Sequence, residues 1–120
     1  MATRLTIRFD FEGDRRLGAG KIALLEAIEK TGSISAAGRA HGMSYRRAWL
    51  LVEELNRLFS SPLVAAHQGG AKGGGAELTD AGRRIVALYR SAEAKMRAGA
   101  SEEIAALESA LAPGPATAPS

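Results

Sequence analysis

The stretch GSISAAGRAHGMSYRRAW, residues 32 to 49, combines two helix starts with one sharp turn. Ser33 and Ser44 each precede a helical pattern and can cap it, and Gly42 between them permits a tight turn. The first, short helix has a face of small side chains, which lets another helix approach closely. That face consists of Ile34, Ala37, Gly38 and His41. Such residues would suit a catalytic pocket, a phosphate backbone or a partner helix, so the surrounding sequence has to distinguish these.

Two patterns precede this stretch. From Arg4 to Phe11, apolar residues alternate with polar ones, which is the period of a half-buried strand. The segment EGDRR, residues 12 to 16, is then predicted to turn. A helix follows from Gly18 to about Thr31, and Gly32 ends it. The apolar face of this helix consists of Ile22, Leu24, Leu25 and Ile28.

A longer helix follows Ser44, with Tyr45, Arg46 and Arg47 in its first turn. Apolar residues recur along it at intervals of three and four, so we expect one face to belong to the core. Those residues are Ala48, Val52, Leu55 and Phe59, flanked by Leu51 and by Trp49, which by its period also faces inward.

The next segment is predicted to form a β-hairpin. LVAAH, residues 63 to 67, and ELT, residues 77 to 79, have the composition of short strands. Between them lies QGGAKGGGA, residues 68 to 76, which contains five of the glycines of the chain and should form a flexible loop.

A long helix is predicted to begin at Thr79 and Asp80. Its apolar residues keep roughly heptad spacing, are interrupted near Gly99 and then resume. They are Ala81, Ile85, Leu88 and Ala92, followed by Ile104, Leu107 and Leu111. We therefore divide the chain into a domain over 1–98, a helical extension over 99–111 and a disordered tail over 112–120.

The charge of the chain is unevenly distributed. Sixteen basic and thirteen acidic residues give a net charge of +3, but residues 101–120 hold three glutamates and no Lys or Arg, which leaves +6 on the first hundred. A length of 120 residues suits one domain plus a tail. A basic body attracts polyanions in general, which does not by itself identify a function.

Several classes of protein are disfavoured by composition. The chain has no cysteine, which excludes a disulfide framework and a thiolate zinc site. Its first residues, MATRLTIRFDFEGD, carry charges throughout and no apolar run of signal-peptide length, and no stretch is long and apolar enough to cross a bilayer. We therefore expect a cytoplasmic protein without a membrane partner.

The predicted order is strand, helix, helix, tight turn, helix, hairpin and long helix. This is the order of a winged helix-turn-helix domain, a mainly α fold with a small β-hairpin. In such a domain the second helix of the pair enters the major groove of DNA, with its N-terminal residues toward the base edges. The sequence therefore favours double-stranded DNA as the partner.

Arg46 and Arg47 are candidate DNA contacts, because a guanidinium group can bind either guanine or a phosphate. A solvated helix start is the alternative, but cations at a helix N-terminus oppose the helix dipole and call for a compensating partner. Tyr45 either packs on the core or meets a base, and the sequence leaves both open. Ser33 and Ser35 can offer hydroxyl and backbone N–H groups to a phosphate.

The glycine loop also has two interpretations. A hairpin tip can be rich in glycine only in order to turn. However, a single Lys72 among these glycines, directly after a helix-turn-helix, suits a wing that lies along a phosphate strand or in a minor groove. We favour the wing.

Enzymatic signatures are weak. GAGKIA, residues 18 to 23, has the form G-x-G-x-x-A, but a charged turn separates it from the strand and no second parallel strand follows. Neither this segment nor AKGGG has the G-K-[ST] ending of a P-loop. His41 and His67 are far apart in sequence, without a nearby nucleophile or metal cluster, and are interpreted as structural. We expect no enzymatic activity, no metal and no cofactor.

Three segments together resemble the N-terminal DNA-binding domain of ModE-type molybdate-responsive regulators, a winged helix-turn-helix related to the LysR type. They are residues 32–49, the helix end ELNRLF, and GGAKGGGAELTDAGRRIVALY, and the resemblance covers about residues 3–97. It implies a homodimer on an inverted-repeat operator, joined in part by the long helix through Ile85, Leu88 and Ala92. The DNA-contacting residues that it implies are Ser33, Ser35, Ser44, Tyr45, Arg46 and Arg47, with Lys72, Gly73, Gly74 and Gly75 in the wing.

The resemblance has a limit. ModE-type regulators continue into molybdate-binding domains with an S-A-R-N-type motif, which this sequence lacks, so we expect no molybdate binding from this chain alone. Leu50 and Leu51 stand where a helix facing a groove would offer polar groups, or else they pack against neighbouring elements. The alternative function is a protein-interaction module that uses the winged fold without specific DNA recognition.

Overall fold

The computed structural model describes residues 3–67 and 75–114. Its strands form two antiparallel pairs, β1 with β2 and β3 with β4. Residues 68–74 of the predicted wing and 115–120 of the predicted tail lie outside the described ranges. The elements are β1 (Arg8–Phe11), β2 (Arg15–Gly18), α1 (Ala19–Thr31), α2 (Ile34–Ala40), α3 (Tyr45–Leu58), β3 (Val64–His67), β4 (Gly75–Leu78), α4 (Asp80–Gly99) and α5 (Ser101–Ala110).

The N-terminal region contains a second strand that the sequence analysis missed. β1 is shorter than the predicted strand, and only residues 12–14 of EGDRR form the turn, because Arg15 and Arg16 belong to β2. The chain reverses at Gly13 and Asp14, whose φ angles are 76° and 61°. β2 gave no alternating signal because it is short and only Leu17 within it is buried.

The predicted helix boundaries around residues 32–44 are confirmed. Gly32 ends α1 in the left-handed conformation with φ of 72°, and its N–H donates to the Ile28 carbonyl at 2.8 Å. The Ser33 hydroxyl accepts from the Ala36 N–H at 3.0 Å, and the Ser44 hydroxyl accepts from the Arg47 N–H at 3.1 Å. Each serine therefore satisfies a backbone donor that a helix start leaves free.

Close packing of α2 on α3 depends on Gly38. A Cβ atom at this position would lie 2.8 Å from the Cβ of Ala48, closer than two carbon atoms pack. The prediction that His41 shares the apolar face of α2 is wrong: His41 follows the helix as its C-cap and is exposed. The left-handed turn at Gly42, with φ of 69°, redirects the chain directly after it.

The core lies where α1, α2 and α3 meet the hairpin of β3 and β4. Leu24, Leu55 and Leu63 are fully buried there. Trp49 and Phe59, which the sequence placed in the core, are only partly buried and pack against its edge. The remaining buried hydrophobic side chains of the three helices are Ile22, Leu25, Ile28, Ile34, Ala37, Ala48, Leu51, Val52 and Leu58.

The hairpin starts its return strand earlier than predicted. β4 is Gly75–Leu78, with His67 opposite Gly75 and Val64 opposite Leu78, whereas the sequence placed the strand at 77–79. Thr79 instead caps α4, because its hydroxyl accepts from the Gly82 N–H at 3.0 Å. The predicted interruption near Gly99 is confirmed, since α4 ends there and α5 follows after Ala100.

Together these elements form a winged helix-turn-helix with a long C-terminal helix, as the sequence predicted. The helix-turn-helix consists of α2 and α3, and β3 and β4 form the base of the wing. Among the residues that the structure describes, no helix has both the length and the apolar character needed to cross a membrane.

Candidate nucleic-acid interface

The first turn of α3 presents exposed cationic and aromatic side chains. Arg46 and Arg47 are both exposed, and this turn contains no acidic residue. Neither arginine forms an ion pair with a residue in ranges 3–67 and 75–114. Both guanidinium groups are therefore available to an anion outside the domain.

Tyr45 lies on the surface, so it does not pack in the core, which was one of its two interpretations. Its side chain is 63% exposed and rests edge-on against the Trp49 ring, with the ring centroids 6.1 Å apart. Trp49 itself is half-buried, and its indole nitrogen has no hydrogen-bond partner among the described residues. The Trp49 ring therefore packs between Tyr45 and the domain, and the phenol ring of Tyr45 stays accessible to solvent.

The outward face of α3 continues beyond its first turn. Arg46, Leu50, Glu53 and Arg57 recur there at intervals of three and four, opposite the buried face. Leu50 is 48% exposed, whereas Leu51 is buried, so only Leu50 could face a groove. Arg57 was not singled out from the sequence, although its spacing from Arg46 places it on this face. The carboxylate of Glu53 would repel phosphate, which favours the first two turns as the contact region.

The start of α2 contributes hydroxyl groups and one further arginine. The Ser35 hydroxyl accepts from Nη1 of Arg39 at 2.9 Å, so the two side chains lie together on the surface of α2. Arg39 was missed in the sequence analysis, although its i+4 spacing from Ser35 was a usable signal. Ser33 is partly buried because it caps the helix, and its hydroxyl hydrogen remains available as a donor.

The base of the wing is attached directly to the turn before α2. The Ala76 N–H of β4 donates to the Gly32 carbonyl at 2.9 Å. A Cβ atom at Gly75 would lie 3.2 Å from the same oxygen, so glycine allows this close approach. Gly75, predicted in the wing loop, belongs to β4. The other predicted wing residues, Lys72, Gly73 and Gly74, lie outside the described ranges.

Neither histidine is part of a catalytic cluster within the described residues. His41 is exposed. His67 is also exposed, and its Nε2 atom lies 3.3 Å from a carboxylate oxygen of Glu77 across the hairpin. In the described ranges, no group of His, Cys, Asp or Glu side chains is arranged to hold a metal ion.

The long helix α4 has one face toward the domain and one toward solvent. Of the three predicted dimerisation residues, Leu88 is 50% exposed, while Ile85 and Ala92 are partly buried. Ile85 packs against the core, and Tyr89, one turn along the same side of the helix, is buried and its hydroxyl donates to the Ile7 carbonyl at 2.6 Å. Burial raises the pKa of Tyr89, and the neighbouring Glu93 carboxylate adds to this effect.

Arg90 connects α4 to α1. Its Nε and Nη2 atoms donate to the two carboxylate oxygens of Glu26 at 2.9 and 2.7 Å, and Nη1 donates to Glu93 at 2.7 Å. These hydrogen bonds lower the pKa of the Glu26 carboxyl and raise the pKa of the Arg90 guanidinium. Arg90 is therefore paired within the domain, in contrast to Arg46 and Arg47, which face outward without a carboxylate partner among the described residues.

Sequence comparison identifies relatives among molybdenum-related bacterial proteins. The chain is 52% identical over 79 residues to the molybdenum-pterin-binding protein MopB of Rhodobacter capsulatus, covering 66% of this chain and 29% of that protein. It is 46% identical over 94 residues to the molybdenum transport protein ModE of Azotobacter vinelandii, covering 77% of this chain and 35% of that protein. It is 44% identical over 69 residues to the DNA-binding transcriptional dual regulator ModE of Escherichia coli K12, covering 58% of this chain and 26% of that protein.

The chain thus spans about a third of the length of these curated relatives or less. The fold is shared with a crystal structure of a CbnR_DBD–DNA complex, with a TM-score of 0.53 and 22% identity over 72% of this chain and 95% of that one. The resemblance to ModE-type DNA-binding domains is confirmed by these similarities. Residues 20–83 match the family described as bacterial regulatory helix-turn-helix protein, lysR family, and the chain belongs to that family.

Proposed function

We propose that this chain is a sequence-specific DNA-binding regulator that acts as a homodimer on an inverted-repeat operator. The observation that carries this proposal is the pair Arg46 and Arg47, exposed and without internal ion pairs in the described ranges, at the capped N-terminus of α3. Cations at this end of a helix oppose its dipole, so their position is unfavourable unless an external anion compensates it. DNA phosphate and the acceptor groups of guanine are such partners.

In this proposal α3 is the recognition helix and lies in the major groove. Arg46, on the outward face, is placed to contact base edges, whereas Arg47 on its flank is placed to contact a phosphate. Tyr45 stands beside them and can contact a base or the sugar-phosphate backbone. Ser44 keeps its hydroxyl hydrogen for a phosphate while its oxygen caps the helix.

Two further elements would hold the DNA backbone. At the start of α2, Ser33 and Ser35 supply hydroxyl donors, and Arg39 adds a positive charge directly beside Ser35. The wing, residues 68–76 with Lys72 to Gly75, would contact the backbone or the minor groove. The attachment of β4 to Gly32 supports this role, because it ties the base of the wing to the start of the helix-turn-helix.

The dimer is proposed to form along α4 around the exposed Leu88, with the partly buried Ile85 and Ala92 beside it. A two-fold dimer sets two recognition helices roughly 34 Å apart, one turn of DNA. Because Leu88 is exposed and lies in the proposed interface, Leu88→Asp should convert the dimer to a monomer in sedimentation velocity while the domain stays folded. A dimer that persists would place the interface elsewhere. Residues 1–98 would form the DNA-binding unit and 99–111 its helical extension.

The target genes are proposed to be related to molybdate, because the relatives include molybdenum transport and molybdenum-pterin-binding proteins. We do not propose that the residues of this chain bind molybdate themselves. Nor do we propose an enzymatic activity, since the family and the named relatives are regulators or binding proteins. A regulator that acts on bacterial DNA works in the cytoplasm, where we place this protein.

The direct test is selection of genomic DNA fragments by the purified protein at physiological salt, with and without molybdate. We expect enrichment of an inverted repeat, equally in both conditions. Binding of the selected sequence should weaken steeply as salt rises, because phosphate contacts release counterions. Without enrichment the protein would be a non-specific DNA binder if salt-dependent binding persists. It would be a protein-interaction module if binding is absent.

A further inference from the structure

Two arginines on the same side of the long helix α4 form ion pairs with α1. Nε and Nη2 of Arg90 donate to the two carboxylate oxygens of Glu26 at 2.9 and 2.7 Å. This bidentate geometry fixes the orientation of the guanidinium group. Seven residues earlier, Nε of Arg83 lies 3.5 Å from a carboxylate oxygen of Glu29. Arg83 also donates to the Leu78 carbonyl at 3.1 Å, which ties the same helix to β4.

These two ion pairs are separated along both helices. Seven residues of α4 span about 10 Å, while the three residues between Glu26 and Glu29 span about 4.5 Å of α1. Because the attachment points are separated, the two pairs together oppose a rotation of α4 relative to α1. Either pair alone would restrain that angle less than the two pairs together.

Apolar packing holds α4 on the domain at Gly82, which lies against the Leu63 backbone, and at the buried Tyr89. A groove of about 250 Å³ lies between the helices, lined by Glu26, Glu29, Leu78, Arg83, Val86 and Ala87. Where side chains interdigitate without voids, the packing itself fixes the angle between two helices. Around this groove the ion pairs and the attachment of Arg83 to β4 add to the constraint that packing supplies elsewhere along α4.

The angle between α4 and α1 determines how far apart two recognition helices would lie. α1 belongs to the same rigid body as the helix-turn-helix, because Ile22, Leu25 and Ile28 are buried in the core with α3. α4 carries the proposed dimer interface around the exposed Leu88. If α4 turned by about 10°, a point 20 Å along it would move by about 3.5 Å, the length of about one base pair.

We infer that the ion pairs Glu26–Arg90 and Glu29–Arg83 set the separation of DNA half-sites that the dimer accepts. Arg90 and Arg83 are then positioning residues, which do not touch DNA but orient the helices that do. This inference rests on the proposed homodimer and adds to it the residues that determine operator spacing.

The test is a set of DNA duplexes that carry identical half-sites at centre-to-centre separations from about 8 to about 13 base pairs. The wild-type protein should prefer one separation by at least about tenfold over its neighbours, since a mismatch of one base pair strains the dimer or the DNA. Arg90→Met should reduce that preference to about threefold or shift its optimum. Its affinity for a single half-site should stay within about twofold of wild type. Arg90→Lys, which keeps the charge but not the paired geometry, should be intermediate.

Arg97→Met is the matched control, because Arg97 lies on the same helix but donates to the Thr3 carbonyl rather than to α1. It should retain the wild-type spacing profile. If Arg90→Met proves unstable, the double variant Glu26→Gln, Glu29→Gln keeps the shape of both side chains and removes their charge. An unchanged spacing profile in a folded, dimeric variant overturns the inference. Absence of any inverted-repeat preference in the wild type overturns the proposed function instead.

Discussion

The arginines at the start of α3 and those on the inner side of α4 are the same chemical group in opposite surroundings. Arg90 is bound to Glu26 and Glu93 by three hydrogen bonds, whereas Arg46 and Arg47 have no carboxylate partner in the described ranges. A guanidinium that is already paired gains little from a phosphate, because it must first give up its partner. An unpaired one offers its full set of donors. The lack of a carboxylate partner, together with the position at the start of α3, is therefore what supports Arg46 and Arg47 as the proposed DNA contacts.

The largest expected effect is a loss of DNA affinity when the two unpaired arginines of α3 are removed. The double variant Arg46→Ala, Arg47→Ala should lower operator affinity by about 100-fold to 10,000-fold, since each lost base or phosphate contact costs about 1–3 kcal/mol. Its melting temperature should stay close to that of wild type, because neither side chain contacts the core. Electrophoretic mobility shift and thermal denaturation together measure both effects.

Arg15→Ala is the matched control for that variant. Arg15 is an exposed arginine of β2 whose Nε atom donates only to the Glu12 carbonyl at 2.7 Å in the described structure. Removing it changes the net charge but no proposed DNA contact. If Arg15→Ala weakens binding as much as Arg46→Ala or Arg47→Ala does singly, the comparison fails and binding depends on overall charge.

The unpaired arginines of α3 could be predicted from the sequence, whereas the paired Arg90 could not. Arg46 was found because Ser44 marks a helix start next to a tight turn, which is a local signal. Arg90 was not singled out, since its partner Glu26 lies 64 positions earlier in the chain and is brought near only when α4 packs on α1. Long-range pairs of this kind leave no periodic pattern.

The elements of the fold that depend on local sequence signals were predicted, whereas those that depend on contacts between distant residues were not. Caps, turns and helix periodicity gave the order of α1 to α4 and the base of the wing. They missed β2, which is held by pairing with β1 and by one buried residue, Leu17. They also misplaced His41 and the start of β4, where the tight turn and the contact between Ala76 and Gly32 determine the conformation.

Removing the internally paired Arg90 should lower the stability of the fold rather than the affinity for DNA. Arg90→Ala leaves Glu26 and Glu93 without their shared partner, and the free energy of unfolding should fall by about 1 kcal/mol. The loss is small because the Arg90 and Glu26 side chains are 42% and 40% exposed, so water screens their attraction. Urea denaturation measures this loss, and Arg39→Ala, which removes a surface arginine without a carboxylate partner in the described ranges, should change stability less. Equal losses in the two variants would mean that internal pairing contributes nothing to stability.

The smallest expected effect is a dependence of stability on acidic pH. The hydrogen bonds from Arg90 lower the pKa of Glu26 below its ordinary value of 4.5, so the folded state holds this carboxyl ionised more strongly than the unfolded state does. The resulting stabilisation is present above the unfolded pKa and is lost as pH falls through the folded pKa. After screening by solvent it should amount to at most about 1 kcal/mol.

Glu26→Gln isolates this contribution, because it removes the titrating group and keeps the shape of the side chain. The stability difference between wild type and Glu26→Gln should be largest near neutral pH and should close as the pH falls below about 4. The control is Glu53→Gln, since Glu53 lies on the outward face of α3 and has no ion pair in the described ranges. If the stability difference stays constant down to pH 3, Arg90 and Glu26 interact through shape and hydrogen bonding rather than through charge. The charge pairing of Arg90 would then not distinguish it from Arg46 and Arg47.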